Sequence, residues 1–186
     1  KKLRRSPQEL VERSKTFSFD SPKEKVFCEI ATRIYGLYQK RLESEGKIDF
    51  DDLLEEAINK VKSRRAKIKV GGSDRYDIDL SELKWLMIDE YQDFSPLFYE
   101  LVASIKHFNS QLRIFAVGDD WQAINGFAGS DLKFFQEFRS MFPGADVIDL
   151  SGNYRSQASL VNQANRVMAH TGGVPAVAKS GRAAEA

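Results

Sequence analysis

Three short apolar runs constrain this chain most: LKWLMID at 83–89, RIFAVGD at 113–119 and DVIDL at 146–150. Each has the length of a strand, and each ends in an acid or just short of a polar loop. Segments of helical pattern lie between and after them. SPLFYELVASIKHF carries Ser95 as a cap and Pro96 in the first turn, SDLKFFQEFRSMF is amphipathic, and SQASLVNQANRVMAH can be capped by Ser156. Strand alternating with helix predicts an α/β fold with a parallel sheet. Ligands in such sheets bind beyond the carboxyl ends of the strands, which is where the acids of this sequence fall.

The first half of the chain reads differently. Residues 21–46 predict one long amphipathic helix: Ser21 caps it, Pro22 suits its first turn, and Glu24 is placed to complete a capping box. Val26, Phe27, Ile30, Ile34, Leu37 and Tyr38 recur at helical spacing, and Gly46 is a natural stop. A second helix is expected to begin near Asp49. The basic stretch KVKSRRAKIKVGGSDR that follows reads as an exposed connection, and the tail TGGVPAVAKSGRAAEA as a loose segment or the stub of an element.

Apolar residues make up 42% of the sequence and charged residues 30%, the balance of a soluble protein able to bury a core. No apolar run reaches the ~18 residues of a membrane helix, so no membrane association is expected. The basic start KKLRRSPQEL is not followed by the apolar core of a signal peptide. The single Cys28 excludes an internal disulfide framework and fits a reducing compartment, the cytoplasm. Flanked by Val26, Phe27 and Ile30, it is expected to be a buried structural thiol. A net charge of +1 says nothing about partners.

Asp89 and Glu90 directly follow the run Trp85 to Ile88. A carboxylate at a strand end can hold Mg²⁺, and a second beside it can orient and deprotonate a water. On its own, an Asp-Glu pair reads as a turn cap beside a solvated acid, because such pairs are common. The second run exits through VGDDWQAINGFAGSD, where Gly118 allows a tight turn and Gln122 offers a donor and an acceptor; a βα loop without a ligand would read the same way. In LSGNYRSQ, Arg155 stands at the start of a helix, an end that favours anions. A phosphate held between the arginine and that helix end would resolve the conflict.

DEYQD, VGDDWQAINGFAG and LSGNYRS, in that order, resemble motifs II, III and IV of superfamily 1 helicases of the UvrD/Rep type, and FAVGDDWQAI most resembles the helicase IV branch. IDFDDLL resembles the segment leading back into the first motor domain of that family. The resemblance, from about Ile48 to Ser156, implies a partial RecA-like parallel sheet flanked by helices and preceded by a helical segment. It divides the chain into the helical end of inserted subdomain 1B (1–46), the second half of motor domain 1A (47–150), and the start of 2A with a loose tail (151–186).

The same resemblance implies residue roles. Asp89 would hold Mg²⁺, and Glu90 would activate the hydrolytic water for ATP. Gln122 and Arg155 would reach the γ-phosphate, the arginine acting as a finger on transition-state charge. Tyr154 would stack on the adenine, while Gln92 and Asp93 would support the site. Phe127, a core aromatic on spacing alone, would stack on a DNA base, beside Asn125. The implied partner is single-stranded DNA or a single-strand/double-strand junction, read with 3′-to-5′ polarity.

Two departures accompany the match. Asn125 stands where the family has an aromatic residue and Ala128 where it has an arginine, so the ATP end of motif III is intact and its DNA end altered. No G-x-x-x-x-G-K-[ST] occurs; GGSDR at Gly72 lacks the lysine and the strand–loop–helix context. The simplest account is an internal segment of a longer motor, partnered by the remainder of that helicase chain and inactive alone. The rival is a non-catalytic interaction module that kept the fold and lost turnover. His107 and His170 read as surface histidines, and the single cysteine leaves no zinc pattern.

Overall fold

The computed structural model describes residues 5–65, 67–70, 76–124, 126 and 129–179. They form two compact units, Lys1–Ile88 with Ser95–Phe115, and Asp89–Phe94 with Ala116–Ala186.

The first unit opens with three helices, α1 (Pro7–Thr16), α2 (Pro22–Glu45) and α3 (Phe50–Lys62). The expected long helix is present, with Ser21 accepting from the Glu24 amide and Gly46 closing it in the left-handed region. Its cap is only half the expected box, because the Glu24 carboxylate takes the Asp20 amide instead of that of Ser21. Reciprocal boxes occur elsewhere, at Ser6–Glu9 on α1 and at Asp49–Asp52 on α3. Cys28 is half-buried rather than enclosed, since its neighbours Val26, Phe27 and Ile30 lie on an exposed stretch of α2.

Part of the basic stretch is not a simple connection. β1 (Lys67–Val70) pairs antiparallel with β2 (Tyr76–Asp79), and the register sets Lys67 opposite Asp79 and Lys69 opposite Asp77. Opposite charges across a strand pair favour that alignment. The GGSDR sequence lies outside the described residues.

β3 (Trp85–Ile88), α4 (Pro96–Phe108) and β4 (Arg113–Ala116) follow as the alternation predicts. β3 and β4 are hydrogen-bonded neighbours, and α4 is the helical crossover that a parallel pair requires. Leu86 and Ile114 point to the core of Val61, Ile105 and Leu112, with Leu80, Leu83, Leu101 and Phe108 packed around it. Buried Asn109 locks the end of α4, its side-chain amide donating to the Leu83 and Leu80 carbonyls at 2.6 and 3.3 Å. The other face of the pair, with Trp85, Met87 and Phe115, is exposed.

The second unit is built on aromatic rings. Tyr91 packs on Phe94 and Phe138 with centroids 4.3 and 5.2 Å away, and Phe94 meets Phe134 edge-on. SDLKFFQEFRSMF forms two short helices, α5 (Lys133–Gln136) and α6 (Phe138–Met141), rather than one, because Glu137 leaves helical geometry at φ −99°, ψ 23°. DVIDL is not a strand: Ile148 and Leu150 are exposed, and no strand pairs with them among the described residues. β5 (Gly152–Asn153), α7 (Ala158–Met168) and β6 (Val177–Ala178) complete the unit, β5 and β6 pairing in parallel. Ser156 does not cap α7; Gln157 holds the cap position without a side-chain bond. The class is mixed helix and strand, consistent with α/β, with two-stranded sheets throughout the described residues. No helix among them is long and apolar enough to cross a membrane.

Candidate functional site

The loop DEYQDF turns its first two side chains outward and its aromatic residues inward. Asp89 and Glu90 are exposed, whereas Tyr91, Gln92 and Phe94 are buried. The aromatic pair anchors the loop, so the two acids at the end of β3 are held out towards solvent. Glu90 makes the reversal. It sits at φ 51°, ψ 44°, a left-handed conformation that a side chain with a Cβ adopts at a cost of about 1–2 kcal/mol. Such strain persists where surrounding contacts over-determine it. Here they include the Asp89 carboxylate on the Glu90 amide at 2.9 Å and the Tyr91 amide on the Val117 carbonyl at 2.9 Å.

A chain of hydrogen bonds joins this loop to the next. The Gln92 side-chain N–H donates to Glu90 Oε2 at 2.5 Å, while Gln92 Oε1 accepts the Asp119 amide at 2.9 Å. Asp119 Oδ2 in turn accepts from the Gln122 side-chain amide at 2.6 Å, and its Oδ1 caps the turn by accepting the Trp121 amide at 3.1 Å. Glu90 and Gln122 are thus connected through Gln92 and Asp119. Gly118 makes this approach possible, because a Cβ there would lie 2.7 Å from Gln92 Oε1.

Asp89 uses one oxygen on the Glu90 amide, and its Oδ2 takes no hydrogen bond among the described residues. One free carboxylate oxygen beside solvent suits Mg²⁺, which keeps waters and substrate phosphates in its shell and needs only one or two protein carboxylates. A closed cage of three or more ligating side chains does not occur among the described residues.

The third element is held by Asn153, whose Oδ1 accepts the amides of Arg155 and Ser156 at 3.0 and 2.9 Å. This turn sets Tyr154 and Arg155 outward. Tyr154 is 77% exposed, which leaves its ring available for stacking. The Arg155 guanidinium makes no hydrogen bond or ion pair among the described residues. Neither residue shares a hydrogen bond with the Glu90–Gln122 chain. Trp121 connects the regions by packing, its indole lying against Gly173 in the segment before β6. Asn125 and Phe127 lie outside the described residues. Both histidines are exposed, as expected.

Sequence reasoning gave Gln92 only a supporting role and gave Asp119 none. The place of Gln92 between Tyr91 and Phe94 was no sufficient signal, since Asp93 stands between the same aromatics and is only half-buried.

Residues 2–143 match the model of the UvrD/REP helicase N-terminal domain, and the chain belongs to that family. It is 34% identical over 125 residues to DNA helicase IV of Escherichia coli, covering 67% of this chain and 16% of the relative. It is 29% identical over 136 residues to the putative ATP-dependent DNA helicase YjcD of Bacillus subtilis, covering 73% and 17%. With the ATP-dependent DNA helicase PcrA of Staphylococcus epidermidis the identity is 30% over 142 residues, covering 76% and 18%. The chain therefore spans about a sixth of the length of the curated relatives it matches.

Proposed function

We propose that this chain forms part of the ATP-hydrolysing motor of a DNA helicase or translocase, with ATP as substrate and single-stranded DNA or a strand junction as track. The observation that carries the reading is the hydrogen-bonded chain from Glu90 to Gln122. It brings a general-base candidate and a phosphate-sensing candidate from two loops into one network. Glu90 takes the proton of the attacking water. Gln122 and Arg155 meet the γ-phosphate, and the arginine offsets charge that builds in the transition state. Tyr154 offers an exposed ring to the adenine. Mg²⁺, when bound, neutralises phosphate charge, and Asp89 is the residue that would hold it.

The finer assignments belong to the same proposal. Residues 1–46 end subdomain 1B, 47–150 complete motor domain 1A with a RecA-like sheet, and 151–186 begin 2A. Phe127 and Asn125 lie along the DNA, and movement is 3′ to 5′. A second reading, a non-catalytic interaction module, rests on Asn125 and Ala128 standing where the family has an aromatic residue and an arginine.

The test is ATP hydrolysis by the full-length protein that carries this chain, measured with and without single-stranded DNA. Stimulated turnover supports the motor. DNA binding without turnover supports the module instead.

A further inference from the structure

We propose that Gln92 is a positioning residue that ties the Glu90 carboxylate to the loop carrying Gln122, so that a ligand contacting Gln122 is felt at Glu90; this rests on the motor reading above. Gln92 is only 3% exposed and stands between a group that can only accept and a group that can only donate. The Glu90 carboxylate takes its N–H, and the Asp119 amide gives to its Oε1. Only a side-chain amide supplies both ends at this length, because a carboxylate would repel Glu90 and a thioether would satisfy neither. Glu90 needs such a hold because its backbone sits in the left-handed region. Asp119 extends the tie by accepting from Gln122 at 2.6 Å. The link is packed as well as bonded, since the missing Cβ of Gly118 leaves room for the Gln92 amide. A displacement of the 119–122 turn therefore pulls on the Glu90 carboxylate through two hydrogen bonds.

The experiment uses the full-length protein and follows DNA-stimulated ATP hydrolysis in Gln92→Met, Gln92→Glu, Glu90→Gln and the Glu90→Gln/Gln92→Met pair. Gln92→Met is expected to lower kcat by roughly 10–100-fold, the effect of a misplaced catalytic group, while KM for ATP stays within about twofold. In the pair, the Met substitution is expected to add nothing to Glu90→Gln, because both act through one carboxylate. Gln92→Glu keeps an acceptor for the Asp119 amide and is expected to lose kcat as the Met variant does.

Hydrogen exchange at the Asp119 amide gives a readout separate from turnover. It is expected to quicken by roughly tenfold in Gln92→Met and to hold in Gln92→Glu. Normal kcat in either single variant, a loss carried by KM, or losses that multiply in the pair would overturn the proposal. Unchanged Asp119 exchange in Gln92→Met would overturn it even if the wild-type protein hydrolysed no ATP, an outcome that by itself sinks the motor reading.

Discussion

A methyl group added at Gly118 would lie 2.7 Å from Gln92 Oε1, 2.9 Å from Phe135 Cε2 and 3.1 Å from the Gln92 backbone nitrogen. Neither contact on Gln92 yields easily. The side-chain oxygen is fixed by the Asp119 amide, and the backbone nitrogen follows the strained turn at Glu90. The Phe135 ring has more freedom, being half-buried on the short helix α5. Overpacking of this kind costs about 1–3 kcal/mol. At a factor of ten for every 1.4 kcal/mol, Gly118→Ala should speed local opening about 5- to 150-fold. Hydrogen exchange reads this directly at the Asp119 and Tyr91 amides, whose acceptors are Gln92 Oε1 and the Val117 carbonyl. Exchange within twofold of wild type at both amides would refute the packing argument, and with it the claim that this glycine is required by the side chain of Gln92.

Other expected outcomes are simpler. Arg155→Ala removes a guanidinium that makes no hydrogen bond or ion pair among the described residues, so stability should hold while turnover of the full-length protein falls roughly 10³-fold or more. Unchanged kcat would remove Arg155 from the phosphate site. Acid should loosen the start of α1: the Ser6 backbone N–H, at 2.6 Å, holds the Glu9 carboxyl below its ordinary value of 4.5. A lowered folded-state pKa means that its contribution is complete above pH 4.5 and is lost as pH falls through the lowered value. The Ser6 amide shift, followed by NMR through that range, should titrate with Glu9; a flat profile would contradict the box.

What the sequence made legible was the part governed by local chemistry. Ser21, Pro22 and Gly46 bounded α2, Asp49 opened α3, and Ser95 with Pro96 opened α4, because caps act within a few residues of where they stand. β3 and β4 were visible as apolar runs with acids at their ends. Some local details differed, such as the Glu24 box, the Ser156 cap and the break at Glu137, but the larger failures were non-local. DVIDL has the composition of a strand, yet strands need a partner, and none of the described residues offers one. The β1–β2 pair was hidden because its lysines read as a solvated basic run, while the acids opposite them, Asp77 and Asp79, lie on the following strand. At the candidate site, the acids, Gln122 and Arg155 stand out in the sequence only as residue types in motif order. The connection among them was not, because Gln92 and Asp119 are separated by 27 positions and meet only once the aromatic anchors are packed.

The most direct measurement of the central claim is ATP binding and hydrolysis by the full-length protein and its Glu90→Gln variant, each with single-stranded DNA. The amide keeps the size of the side chain and removes the base, so binding should be retained and hydrolysis slowed by roughly 10²–10⁴. Hydrolysis by Glu90→Gln at the wild-type rate would contradict the account.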